Sequence, residues 1–188
     1  LYLRFKMAYK TIVSSDILKN NIDNKDFIIF DCRCDVKDSA YGIQAYTEGH
    51  IRNSIFVDID SDLASEKTVS SGRHPLPDAD ALSEKLSQWG LNSSKQAVVY
   101  DDAGGAFAGR MWWILKWLGH TNVAVLDGAL GGWMASGGKL TQDSTVFERS
   151  VFTPNIQNNM YVSIDDVEDA QYKMDKLIID ARSKERYL

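Results

Sequence analysis

The sequence predicts an α/β domain with a mostly parallel central sheet and helices on both faces, followed by the start of a second copy of the same pattern. Three observations predict it. Short runs rich in β-branched and aromatic residues, Phe27–Phe30, Ala97–Tyr100 and Val123–Leu126, each read as a buried strand. Segments with large apolar residues at helical spacing lie between these runs, which is the alternation a parallel sheet requires. The register of Val13–Arg33 then returns at Val162–Arg182.

In chain order, Thr11–Val13 is a short strand, and Ser14 or Ser15 caps a helix ending near Asn20. The strand Phe27–Phe30 runs into Asp31-Cys32-Arg33. Tyr41–Gly49 is a short helix and Ile55–Val57 a strand. Asp60–Pro77 is polar and loop-like, closing on Gly72-Arg73-His74-Pro75-Leu76-Pro77. Asp78–Trp89 has the caps and period of an amphipathic helix. The strand Ala97–Tyr100 meets the small, acidic turn Asp101–Gly105, and Ala106–Leu118 is a helix closed by Gly119. Val123–Leu126 and the helix Gly128–Ser136 complete a domain expected over residues 9–138. Residues 139–160 are polar, with Asn and Gln clusters and Pro154, and read as a linker. Residues 161–188 open the second copy, with one helix and one strand.

The repeat holds register without a gap. Val13-Ser14 corresponds to Val162-Ser163, Asp16 to Asp165, Ile28–Phe30 to Leu177–Ile179, and Asp31-Cys32-Arg33 to Asp180-Ala181-Arg182, each offset by 149 residues. Asp-x-Arg alone is a weak motif, but register kept across a helix start and a strand marks an internal duplication. The second counterpart of the turn at Asp101 falls at about position 250.

Composition narrows the function. Hydrophobic content of 44% and charged content of 25% are ordinary for a soluble globular chain. A net charge of −5 supplies no basic stripe, so nucleic acid is not an expected partner. No apolar run approaches the roughly 20 residues a membrane helix needs. The two cysteines, Cys32 and Cys34, are too close together for a disulfide framework, and a reducing, cytoplasmic compartment is expected. No His or further Cys nearby completes a metal site, so neither metal nor cofactor is expected.

The turn at Asp101 has the form of an active site. A strand feeding a helix through a Gly-containing turn gathers backbone N–H groups that favour an anion. Yet the turn holds no Cys, Ser, Thr, His or Lys; Asp101 stands first. Gly104-Gly105-x-x-x-Gly109 lacks both the dinucleotide spacing and a Gly-Lys-Ser/Thr ending, so it is not read as a nucleotide loop.

Several separated motifs, in order, resemble the N-terminal half of the tandem rhodanese-type sulfurtransferases, the thiosulfate and 3-mercaptopyruvate group. Tyr46-Thr47-Glu48-Gly49-His50-Ile51-Arg52-Asn53-Ser54 is similar to that family's aromatic-x-x-x-His-Ile-Pro-Gly-Ala signature, with Arg52-Asn53 replacing Pro-Gly. Gly72–Pro77 resembles a stretch common in bacterial members, Val98–Asp101 with Arg110-Met111-Trp112-Trp113 resembles the non-catalytic first domain, and Leu126–Leu130 with Trp133 resembles the end of that domain. Asp180-Ala181-Arg182 with Arg186-Tyr187 resembles the opening of its catalytic second domain. The resemblance implies a rhodanese-like fold and a cysteine that takes a sulfane sulfur as a persulfide and passes it to cyanide or a thiol. Asp101 occupies the corresponding position here, so this chain is expected to be inactive alone. The catalytic cysteine is expected beyond residue 188, in a C-terminal domain that would be its partner. The alternative is a non-catalytic rhodanese-like module that binds or regulates a partner.

Candidate residues follow. The resemblance implies that arginines of the second opening, Arg182 and Arg186, bind the donor's anionic group. A spacing of four sets them on one face of a helical turn, and guanidinium forks suit carboxylate or thiosulfate oxygens. The plain alternative is a solvated charged turn. The resemblance also matches His74, with Asp60 upstream, to a His–Asp near the second domain's site; the alternative is a loop-packing histidine. Arg110 either faces an anion or pairs with Asp101 or Asp102. Cys32 and Cys34 are read as packed thiols before persulfide carriers, His50 as a satisfied turn residue, and the tryptophans as core or domain interface.

Overall fold

The computed structural model describes residues 8–174, 176–182 and 184–187, with Arg186 described by its backbone alone. It divides into a unit ending at Ile156 and a second running from Gln157. In the first, the elements are β1 (Ile12–Val13), α1 (Ser15–Asn20), β2 (Phe27–Asp31), α2 (Tyr41–Glu48), β3 (His50–Ile51), β4 (Ser54–Phe56), α3 (Ala79–Gln88), β5 (Gln96–Tyr100), α4 (Ala108–Trp117), β6 (Val123–Leu126), α5 (Ala129–Ala135) and β7 (Leu140–Thr141). Polar caps set the starts the sequence marks: Ser14 accepts from Ile17 N at 3.4 Å and Asp78 from Ala81 N at 2.8 Å.

The main sheet has the order β1-β6-β5-β2-β4, and every pairing in it is parallel. β2 lies between β4 and β5, with Ile29 opposite both Ser54 and Val98. The connections through α1 and α2 step one way along the sheet, and those through α3 and α4 step back. Right-handed crossovers therefore place α1 and α2 on one face and α3 and α4 on the other. Side-chain alternation agrees with this. Ile29, Val98, Ala124 and Leu126 pack with Leu18 of α1 and Trp133 of α5, while Phe30 meets Trp89 at the end of α3, ring centroids 5.8 Å apart. β5 is buried along its whole length, as a central parallel strand covered on both faces must be.

Two expectations change. Much of the stretch read as a linker packs on the first unit. β7 pairs antiparallel with β3 (Ile51 opposite Leu140), Phe152 is buried, and Ser150 N and Asn155 N donate to Ser87 O and Leu118 O, both at 2.9 Å. Those carbonyls belong to the last turns of α3 and α4, where a helix leaves acceptors open; a polar strap satisfies them as well as water would.

The second unit holds a 3₁₀ turn (Asn158–Met160), α6 (Ile164–Lys173) and α7 (Lys184–Tyr187). Ser163 caps α6 through Asp166 N just as Ser14 caps α1 through Ile17 N. The expected strand Leu177–Ile179 is absent, and its side chains are 85%, 48% and 78% exposed. Its counterpart Ile28–Phe30 is a strand because β4 and β5 flank it; among the described residues nothing pairs with Leu177–Ile179, and β structure depends on such partners. No helix among the described residues is long and apolar enough to cross a membrane.

Candidate functional site

β5 delivers Asp101 to the head of the turn that leads into α4, where its side chain is fully buried. Gly104 and Gly105 take φ of +69° and +94°, left-handed values that fold the turn's N–H groups inward. Asp101 fills the space they surround. Its Oδ1 accepts from Ala103 N at 3.0 Å and Gly105 N at 2.8 Å; its Oδ2 accepts from Phe107 N at 2.8 Å and Ala108 N at 2.9 Å. The anion cradle foreseen at this helix start is therefore built, and the chain's own carboxylate occupies it.

Beneath the turn lies a buried polar network. Asp31 accepts from Arg33 Nε at 3.0 Å, Arg33 Nη2 at 2.6 Å and Tyr100 OH at 2.6 Å. Arg33 Nη2 also donates to Gly49 O at 2.8 Å, and Ile51 N donates to Tyr100 OH at 3.2 Å. These bonds tie the ends of β2 and β5 to the residues around β3. Burial and Asp31 push the Tyr100 hydroxyl well above its ordinary pKa, so it stays a proton donor.

The same clamp recurs in the second unit. Arg182 N and Nε donate to Asp180 Oδ1 at 2.9 Å, and Nη2 donates to Oδ2 at 2.5 Å. The Arg182 fork pulls the Asp180 pKa down to about 2. Arg182, expected to await an anion, thus already holds a carboxylate, as Arg33 does. The Arg186 side chain lies outside the described residues.

A separate cavity of about 370 Å³ opens beside the turn, lined by Cys34, Asp60, Lys67, Arg73, His74 and Arg110 among others. His74 Nε2 lies 3.0 Å from Asp60 Oδ1, so the structure brings together the two residues the sequence paired. Lys67 and Arg73 add cationic lining that the sequence reading passed over; their signal was position, in the same loop as His74. Arg110 lines the cavity too, but its fork turns to backbone carbonyls of that loop and not to Asp101, whose acceptors are taken, or Asp102. Asp102 instead accepts from Tyr41 OH.

Neither thiol is primed. Burial and then Asp31 and Asp101 raise the Cys32 pKa well above its ordinary value. Partial burial and then Asp60, Asp58 and Asp35 raise that of Cys34. Cys34 shares its cavity with Lys67, Arg73 and Arg110, but burial and the nearby carboxylates outweigh these cations and the shift is upward. No group of three or more His, Cys, Asp or Glu side chains among the described residues could hold a metal. His50 is buried at its turn, with Nδ1 2.8 Å from Tyr46 O, Nε2 3.1 Å from Asp143 O and its ring stacked on Tyr46. Trp117 and Trp133 lie in the core, while Trp112 donates from the domain surface to Lys10 O at 3.0 Å.

The model of the rhodanese-like domain family matches residues 14–136. The chain belongs to the rhodanese-like family. A probable 3-mercaptopyruvate sulfurtransferase of Pseudomonas aeruginosa is 33% identical over 96% of this rhodanese-like chain and 64% of its own length. The 3-mercaptopyruvate sulfurtransferase of Escherichia coli K12 is 29% identical over the same shares. The chain thus spans just under two thirds of these curated relatives. The crystal structure of SseA from Escherichia coli, a rhodanese fold, superposes with a TM-score of 0.84 at 27% identity, covering 95% of this chain and 68% of that one. Homologues of this rhodanese-like chain are sulfurtransferases, and its fold is theirs.

Proposed function

We propose that this chain is the non-catalytic first module, with the opening of a second, of a sulfurtransferase that moves sulfane sulfur through a cysteine persulfide. In the reaction, a thiolate attacks the outer sulfur of a donor such as thiosulfate. A new S–S bond forms, the donor's own S–S bond breaks, and sulfite leaves with the electron pair. Cyanide or a thiol then takes the outer sulfur and the thiolate returns. 3-Mercaptopyruvate is the alternative donor. The observation that carries the reading is the Asp101 carboxylate inside four N–H groups. A cradle of this kind stabilises a thiolate or persulfide when a cysteine heads the turn; with Asp101 there, the first module is silent, and the reacting cysteine belongs to the second. The C-terminal module is the partner this reading requires. His74, held by Asp60, is assigned to the donor's anionic end, while Arg182 serves its own module as the Asp180 clamp.

The test is thiocyanate formation from thiosulfate and cyanide. The 188-residue chain is expected to give none above background. Turnover that survives replacement of both Cys32 and Cys34 by Ser would overturn the assignment.

A further inference from the structure

Arg110 is the third residue of α4, and its guanidinium reaches out of that helix into the loop that carries Asp60 and His74. Nε donates to Leu63 O at 3.1 Å, and Nη2 donates to the same oxygen at 2.6 Å. Nη2 also donates to His74 O and Pro75 O, each at 3.1 Å. One planar fork therefore joins the chain at Leu63 to the chain at His74–Pro75, across the segment that includes Lys67 and Arg73. Only a guanidinium offers rigid, coplanar donors suited to several acceptors at once; an ammonium is a point donor on a flexible stem. Among the described residues the same two stretches also meet through His74 Nε2 and Asp60 Oδ1 at 3.0 Å and, more weakly, through Ser65 N donating to Pro75 O at 3.4 Å. Burial lowers the Arg110 pKa from its ordinary value, and the Asp60 carboxylate, the partner of His74, works against that shift.

We propose that Arg110 is a positioning residue: it fastens Leu63 to His74–Pro75 and so holds the Asp60–His74 pair at the wall of the 370 Å³ cavity, and it does not itself receive the donor's anion. Its consequence for sulfur transfer rests on the reading of His74 given above; the fastening is a property of this chain.

Amide exchange and His ring signals of the full 188-residue chain test it. Arg110→Met is expected to speed exchange across residues 63–76 by about tenfold or more, with the amides of β2 and β5 unchanged. The His74 ring signal should move to its position in Asp60→Asn. Arg110→Lys should fall between, because one ammonium can hold one side of the loop. Unchanged exchange in 63–76, or an unmoved His74 signal, overturns the proposal. Uniform acceleration over the whole domain in Arg110→Lys also overturns it, because Arg110 would then support the fold at large. Thiosulfate calorimetry adds a further arm: in a His74→Ala background Arg110→Met should cost no further affinity, and an additive loss makes Arg110 a receptor after all. Whether or not the unaltered chain binds thiosulfate without its C-terminal module, the exchange result decides the role of Arg110.

Discussion

Replacing Asp101 by Ala leaves the inward N–H groups of Ala103, Gly105, Phe107 and Ala108 without their acceptor. Buried donors stripped of a charged partner are costly, and a loss of about 2–4 kcal/mol is expected in urea unfolding. Asp101→Asn keeps one acceptor but faces its NH2 to two N–H donors, so its loss should be at least as large. His120 adds a pH dependence of known sign. It is buried, its Nε2 makes no hydrogen bond among the described residues, and burial lowers its pKa from 6.5 to about 4. Between those values the unfolded chain takes up a proton that the folded domain refuses. Stability is therefore full above pH 6.5 and falls by about 3 kcal/mol as the pH drops to about 4. In His120→Asn this part of the acid limb should disappear from urea midpoints measured between pH 7 and pH 4. Residue identities made Asp101 legible as the odd member of an anion-binding turn. They did not reveal that the carboxylate points inward, because the turn's positive-φ glycines decide that. Nor did they reveal that Arg110 spends its donors on carbonyls, since carbonyl positions belong to the loop's path and not to its sequence.

Helix α2 sits hard against the end of β2. A Cβ built at Gly42 would lie 2.3 Å from Arg33 O and 2.9 Å from the Phe56 ring, and the backbone oxygen cannot step aside. Gly42→Ala is expected to cost about 2–3 kcal/mol. Gly109, in the first turn of α4, has nothing within 4 Å of the same atom. There Gly109→Ala should stabilise by about 0.5–1 kcal/mol. Thermal unfolding of the two variants beside the parent checks both signs. The elements that sequence made plain are those with their own apolar run or cap: β2, β5, β6, α3 and α4. The pair β3 and β7, two residues each, carries no pattern of its own and exists because Leu140 comes back beside Ile51. The error at Leu177–Ile179 has the same cause in reverse, since an apolar run is a strand only where other strands meet it.

At the scale of the molecule, the duplication visible as a 149-residue offset reappears as geometry. The Ser cap and the Asp-x-Arg clamp are built alike at Ser14 and Ser163 and at Arg33 and Arg182. The two units differ in what surrounds these devices. The first buries its central strand, whereas the second exposes Leu177, Ile179, Tyr172 and Met174. Limited trypsin treatment is therefore expected to cut at Lys173, Lys176 or Arg182 well before any site between Lys10 and Lys116. Early loss of the first unit would contradict this picture. The central claim, that Asp101 closes a persulfide cradle, is tested most directly by intact mass after incubation with thiosulfate. No added sulfur is expected on the chain as it stands, and one cyanide-removable sulfur is expected on Asp101→Cys. A cyanide-removable sulfur on the unaltered chain, carried by Cys32 or Cys34, would contradict it.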